Sequence, residues 1–211
     1  MGPATSAPGT TEYLPVAYLP GAGGRSAVWE AIANVLAYRR EALLFDYPGL
    51  GEAPLHEDIH SLLDLTRWVG SELPERCDLV SLSMGSALAL RLALEYPERI
   101  RRLVLVAPCG GLNAAHFGAL DWRDAFIEER PHAPRWLVDD RVDFSDRLAS
   151  ISAPTLLVFG AEDPIAPPAI GEFLLGRLPM AKLEIVQNAS HDVEEEYPAL
   201  LASLIEAHLR R

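Results

Sequence analysis

Two runs, Leu103–Ala107 and Thr155–Phe159, are apolar almost without interruption. A strand with one face in water alternates apolar and polar residues, whereas a strand covered on both faces does not. Helices must therefore lie on both sides of these segments. Val16–Leu19, Ala42–Phe45, Asp78–Leu82 and Lys182–Val186 read as further strands, the last of them in the same covered class. Stretches of helical period lie between them: Ser26–Leu36, Asp58–Leu73, Met84–Glu95 and Val193–Leu209. In the second of these, Ile59, Leu62, Leu63, Leu65 and Val69 fall largely on one face. Tyr96-Pro97 closes the third, because the residue before proline is biased away from the α region. Strand–helix alternation of this kind predicts an α/β fold with a doubly wound, mostly parallel sheet of about six strands.

One region breaks the rhythm. From Leu112 to Ser150 no apolar strand occurs, and Phe117, Trp122, Phe126, Trp136 and Phe144 are mixed with charges and prolines. This predicts a small helical insertion, residues 112–150, over the C-terminal edge of the sheet, where open α/β folds bind ligands. Residues 1–12 read as a disordered lead-in, and the whole of 1–211 as one domain. A formal net charge of −12 argues against nucleic acid as a partner. No apolar run is long enough to span a membrane, and the first residues lack the basic and apolar parts of a signal peptide. A cytoplasmic protein is expected, with Cys77 and Cys109 reduced, buried and structural.

A nucleophilic serine needs a sharp turn, a base within hydrogen-bond reach and donors for the oxyanion that develops. In Ser81-Leu82-Ser83-Met84-Gly85 a strand runs straight into a helix, which exposes Ser83 and offers backbone N–H groups. Ser81 stands where the usual G-x-S-x-G has glycine, and Ser83 read alone has the simpler role of capping a helix. Downstream residues shift the balance. Asp163 follows the strand Thr155–Phe159, and His191 follows Lys182–Val186. Serine, aspartate and histidine then stand in that order, each beyond the C-terminal end of a parallel strand, where distant residues meet.

In these motifs the chain resembles the α/β-hydrolase fold superfamily of small esterases, lipases and thioesterases. Leu19-Pro20-Gly21-Ala22-Gly23-Gly24, with Trp29 beyond it, is similar to the family's oxyanion loop. Phe45-Asp46-Tyr47-Pro48-Gly49-Leu50-Gly51 is similar to its D-x-P-G-x-G loop. Leu79–Gly85, Gly160–Asp163 and Ser190-His191-Asp192 correspond to the nucleophile elbow, acid loop and histidine loop. The resemblance implies Ser83 as nucleophile, His191 as general base and Asp163 as the carboxylate that orients it. The backbone N–H groups of Ala22 and Met84 would form the oxyanion hole. It also implies a small-molecule acyl substrate, with no metal and no cofactor. The family's common His-Gly is Pro20-Gly21 here, Ser190 stands where glycine is frequent, and the opening β-hairpin is expected to be missing.

Other residues carry competing readings. His56-Glu57-Asp58-Ile59-His60 matches H-E-x-x-H, which on a helix can hold zinc, with Glu72 or Glu75 as third ligand. The motif straddles a helix start, which favours a solvated N-terminus. Asp46 is expected to fix its loop, and Asp163 is preferred to Asp192 as partner of His191. Trp122, Phe126 and Trp136 either line an acyl pocket or pack the insertion onto the sheet. His116 and His132 are candidate substrate contacts there. Thioesterase, carbon–carbon hydrolase, haloperoxidase or lyase chemistry, or a non-catalytic binding role, remain open on the same scaffold.

Overall fold

Covered apolar runs become the middle of a sheet. The computed structural model describes residues 13–36 and 40–210, so the expectations for residues 1–12, lead-in and hairpin alike, fall outside it. Its strands are β1 (Val16–Leu19), β2 (Ala42–Leu44), β3 (Cys77–Leu82), β4 (Ile100–Val106), β5 (Thr155–Gly160) and β6 (Ala181–Val186). They form one sheet in the order β2-β1-β3-β4-β5-β6, with every pairing parallel. β3 and β5 are buried along their whole length, as both-face coverage demands. The expected α/β architecture is the one observed.

The helices are α1 (Glu30–Leu36), α2 (Leu62–Glu72), α3 (Gly85–Glu95), α4 (Arg123–Glu129), α5 (Trp136–Asp139), α6 (Pro168–Leu175), α7 (Val193–Glu196) and α8 (Pro198–Leu209). α1 packs on α8 and α2 on α3. Several boundaries differ from expectation, each for a local reason. α2 begins at Leu62 because Ser61 Oγ accepts from Asp64 N–H while the Asp64 carboxylate accepts from Ser61 Oγ and His60 N–H. β4 starts earlier than its apolar run because Ile100 pairs with Cys77, with Arg101 and Arg102 inside the strand. β6 is an edge strand that exposes Lys182, Glu184 and Ile185, not a covered one. The last helix breaks at Tyr197-Pro198, since proline cannot continue α7 but suits the first turn of α8. The crossover helix α6, opened by Pro167-Pro168 and burying Ile170 and Leu174, was not read from the sequence.

The chain between β4 and β5 contains no strand. α4, α5 and two 3-10 turns, Ala114–Phe117 and Leu148–Ser150, occupy it. It is tied down at several points. Asp140 Oδ2 accepts from Leu62 N–H (2.6 Å), Leu120 N–H donates to Pro164 O (2.7 Å), and the Phe117 and Phe173 rings lie 5.0 Å apart.

Two pairings place the site. Ser81 stands beside Leu19, and Gly160 beside Val186, so these strands end level with one another. β1 has β2 on one side and β3 on the other. This is the switch point where a parallel sheet opens a crevice at its C-terminal edge.

Candidate active site

Ser83 follows β3 directly, with φ at +49°, a left-handed conformation that a side-chain-bearing residue holds only under constraint. The constraint is visible. Ser83 N–H donates to Val106 O (2.9 Å), and Ser86 N–H donates to Ser83 O (3.0 Å). Gly85 opens α3 against the loop after β1, and a Cβ there would stand 2.3 Å from Pro20 O. Ser81 needs no such concession. It is fully buried, and its Oγ lies 3.4 Å from both Ser86 Oγ and Val104 O, so the hydroxyl has partners.

Asp163 and His191 arrive on the loops after β5 and β6. Those loops are brought together at Gly160, where a Cβ would lie 2.0 Å from Ser190 O. His191 Nδ1 stands 2.8 Å from Asp163 Oδ2, and His191 Nε2 stands 2.9 Å from Ser83 Oγ. The other Asp163 oxygen accepts from Ile165 N–H (2.8 Å) and Ala166 N–H (2.9 Å), which fixes the carboxylate plane. With a carboxylate at Nδ1, the neutral imidazole carries its proton there and leaves Nε2 to accept from the serine hydroxyl. Burial works against the imidazolium, but the Asp163 hydrogen bond and charge, together with Asp192 and Glu194, outweigh it and raise the His191 pKa.

Two cavities meet at this point. The one that reaches Ser83 and His191 has a volume of about 880 Å³ and is walled by Ala22, Trp122, Phe126 and Glu194. The other, about 400 Å³, runs beneath the insertion past Met84, Ala87, Cys109, Leu112, Leu137 and Val142. Leu120, Asp121, Trp122 and Ile165 border both. Among the described residues the amides of Ala22 and Met84 donate no hydrogen bond, so both remain available to an oxyanion.

The remaining candidates distribute unevenly. Asp46 Oδ1 accepts from Ser26 N–H (2.6 Å), tying its loop to the one after β1. Trp136 borders neither cavity, and His116 and His132 are exposed away from both. The H-E-x-x-H segment is a turn before α2, not a helix, so its histidines do not share a helical face, and His56 Nδ1 instead accepts from Asp58 N–H (3.2 Å). Among the described residues no group of three or more His, Cys, Asp or Glu is placed to hold a metal ion.

Cys109 corrects the sequence reading. Both cysteines are free and buried, but Cys109 Sγ lies 3.3 Å from Ser83 Oγ, so this thiol touches the site. Burial pushes it up to about 11, and it stays a thiol at neutral pH. Its position in Pro108-Cys109-Gly110, directly after a covered strand, was the available signal.

A parallel sheet with a strained serine at its switch point, facing histidine and aspartate from later strand ends, defines the α/β-hydrolase class. The chain belongs to the alpha/beta hydrolase family and is a hydrolase: the family's sequence model matches residues 16–150. It is 31% identical to the pimeloyl-[acyl-carrier protein] methyl ester esterase of Aeromonas hydrophila, over 89% of this chain and 92% of that protein. A hydrolase from Pseudomonas aeruginosa superposes with a TM-score of 0.77 at 23% identity, covering 95% of this chain and 91% of the other. A Bacillus subtilis carboxylesterase superposes with a TM-score of 0.74 at 20% identity, covering 95% and 85%. These two likenesses concern the fold. No helix among the described residues is long and apolar enough to cross a membrane.

Proposed function

We propose that the protein is a serine esterase that cleaves a carboxylic ester of a small acyl molecule through Ser83, His191 and Asp163. The observation that carries this reading is the unbroken relay of 2.9 and 2.8 Å from Ser83 Oγ through the imidazole to Asp163. His191 Nε2 takes the hydroxyl proton as Ser83 Oγ attacks the ester carbonyl. The oxyanion that forms is held by the Ala22 and Met84 N–H groups, each such donor being worth roughly 10²–10³ in rate. Collapse of the adduct breaks the bond to the alcohol, which leaves with the proton from His191. Water then gives its proton to His191 and attacks the acyl-serine, which restores the hydroxyl and frees the acid.

An oxygen ester is preferred to a thioester, a carbon–carbon bond, or haloperoxidase or lyase chemistry, because the Aeromonas relative is named for methyl-ester cleavage. The cavity beneath the insertion, about 400 Å³, offers Ala87, Leu112, Leu137 and Val142 to the acyl chain, with Asp121, Arg123, Asp140, Arg141 and Asp143 elsewhere on its wall. Labelling with a fluorophosphonate tests the reading. Wild type labels and hydrolyses short p-nitrophenyl esters, whereas Ser83→Ala does not label and loses roughly four orders of magnitude or more in turnover. Folded wild type that stays unlabelled would instead indicate a binding protein on this scaffold.

A further inference from the structure

The departing alcohol must receive its proton from His191 Nε2, so it leaves through the larger cavity, whose wall His191 helps to form. That wall continues through Asp192, Glu194 and Glu195. Glu194 is 5% exposed, and its Oε2 has no hydrogen-bond partner among the described residues. A buried carboxyl is ordinarily partnered, and one that is not marks a place where something else is meant to sit. Burial raises this carboxyl to about 7, with Asp192 adding to the rise while its own backbone N–H and His191 oppose it.

The other charges along this cavity are already matched. Arg25 faces Glu52 at 3.6 Å, Arg130 pairs with Glu129 at 3.0 Å, and Asp121 pairs with Arg123 at 3.0 Å. Asp192, Glu194 and Glu195 have no ion-pair partner among the described residues. Trp122 and Phe126 line the same cavity with their rings edge to face at 5.5 Å, and each already holds a guanidinium over its ring, Arg123 at 5.2 Å and Arg130 at 4.9 Å. The rings are thus already partnered by cations, and the unmatched attraction for a positive group comes from the carboxylates.

We propose, building on the serine-esterase reading, that the leaving-group side of the cavity accepts an alcohol carrying an ammonium or substituted ammonium group, with Glu194 as its buried countercharge. Asp192 and Glu195, exposed on the same wall, draw the cation in, and Trp122 and Phe126 add apolar surface to the cavity. The acyl group of such an ester lies in the cavity beneath the insertion.

Two esters of one shape test this: dimethylaminoethyl butanoate, protonated at neutral pH, and its neutral isostere isopentyl butanoate. The readout is the ratio of their kcat/KM values, because comparing wild type with a variant cancels the intrinsic reactivity of each ester. Wild type prefers the cation, and in Glu194→Gln the ratio falls roughly tenfold, the equivalent of one buried ion contact. Added salt narrows the wild-type preference. Should Glu194→Gln fail to fold, judged by thermal melting, the exposed pair Asp192→Asn/Glu195→Gln takes its place and lowers the ratio by roughly threefold. A ratio that stays within about twofold of wild type in the folded variant overturns the proposal. Turnover that depends on Ser83 yet shows no preference for the cation overturns it as well and leaves the esterase reading standing. Folded wild type that hydrolyses neither ester overturns both.

Discussion

At the scale of single residues, the proposed esterase mechanism makes the contact between His191 and Asp163 set both the rate and its pH dependence. The base must be neutral to take the Ser83 proton, and its folded pKa lies above the ordinary 6.5 because the Asp163 hydrogen bond and charge outweigh burial. Activity therefore rises with pH through a midpoint above about 6.5. In Asp163→Asn the imidazolium loses that support, so the midpoint moves down. An amide at this position also favours the wrong tautomer, and kcat/KM falls by about 10⁴. A pH–rate profile of both proteins on a short p-nitrophenyl ester checks midpoint and magnitude together. Full activity in Asp163→Asn would remove this carboxylate from the mechanism. Sequence order singled out Ser83, Asp163 and His191, and the structure places them in hydrogen-bond contact. For Cys109 the sequence marks a strand end after a covered strand, which fits a buried structural thiol, but it does not say which side chain the thiol meets there; the structure sets it against Ser83.

At the scale of elements, the turn from β3 into α3 makes two opposite demands on small residues. Ser81 points into a space that accommodates and hydrogen-bonds its hydroxyl, whereas a Cβ at Gly85 would stand 2.3 and 3.0 Å from the carbonyl oxygens of Pro20 and Leu19. Ser81→Gly is therefore expected to change stability by no more than about 1 kcal/mol. Gly85→Ala must move the loop after β1, at a cost of about 1–3 kcal/mol, and it displaces the Ala22 amide along with that loop. Denaturant midpoints together with fluorophosphonate labelling rates separate the two effects. A Gly85→Ala protein that labels at the wild-type rate would show that the loop is not held by this approach. The sequence pattern G-x-S-x-G treats both positions alike, and only the backbone packed around them tells them apart. The crossover helix α6 went unread for a related reason. Its eight residues follow one proline and open with another, and they pack on β5 and β6, so the start of the pattern resembles a loop.

At the scale of the whole molecule, the end of the sheet opposite the site is closed by charge. Asp78 is fully buried between Arg40 and Arg101, and both guanidiniums also donate to Leu209 O at 2.8 Å, which binds the end of α8 to β3 and β4. Asp78→Asn leaves two cations without their counterion and is expected to cost about 3–5 kcal/mol, seen as a lower denaturant midpoint. His208, also on α8, donates a ring N–H to Pro154 O, and burial lowers its pKa to about 4. Its folded pKa lies below the unfolded value, so the unfolded chain binds the extra proton. This contribution to stability is full above about pH 6.5 and is lost as pH falls toward 4. Melting temperatures across that interval should fall less steeply in His208→Gln than in wild type. Parallel slopes would assign the acid sensitivity to other groups.

Apolar runs and their spacing were enough to determine the α/β class, the parallel sheet and the strand ends on which Ser83, Asp163 and His191 sit, because burial and period are written residue by residue. The tertiary structure decided the rest. It made the His191–Asp163 hydrogen bond that the sequence had only favoured over Asp192, set H-E-x-x-H in a turn, kept Trp136 out of both cavities, and brought Cys109 and Glu194 to the site. Each of these depends on strand register and on close approaches such as that of Gly160 to Ser190 O. Such contacts join residues far apart along the chain, and no local pattern records them.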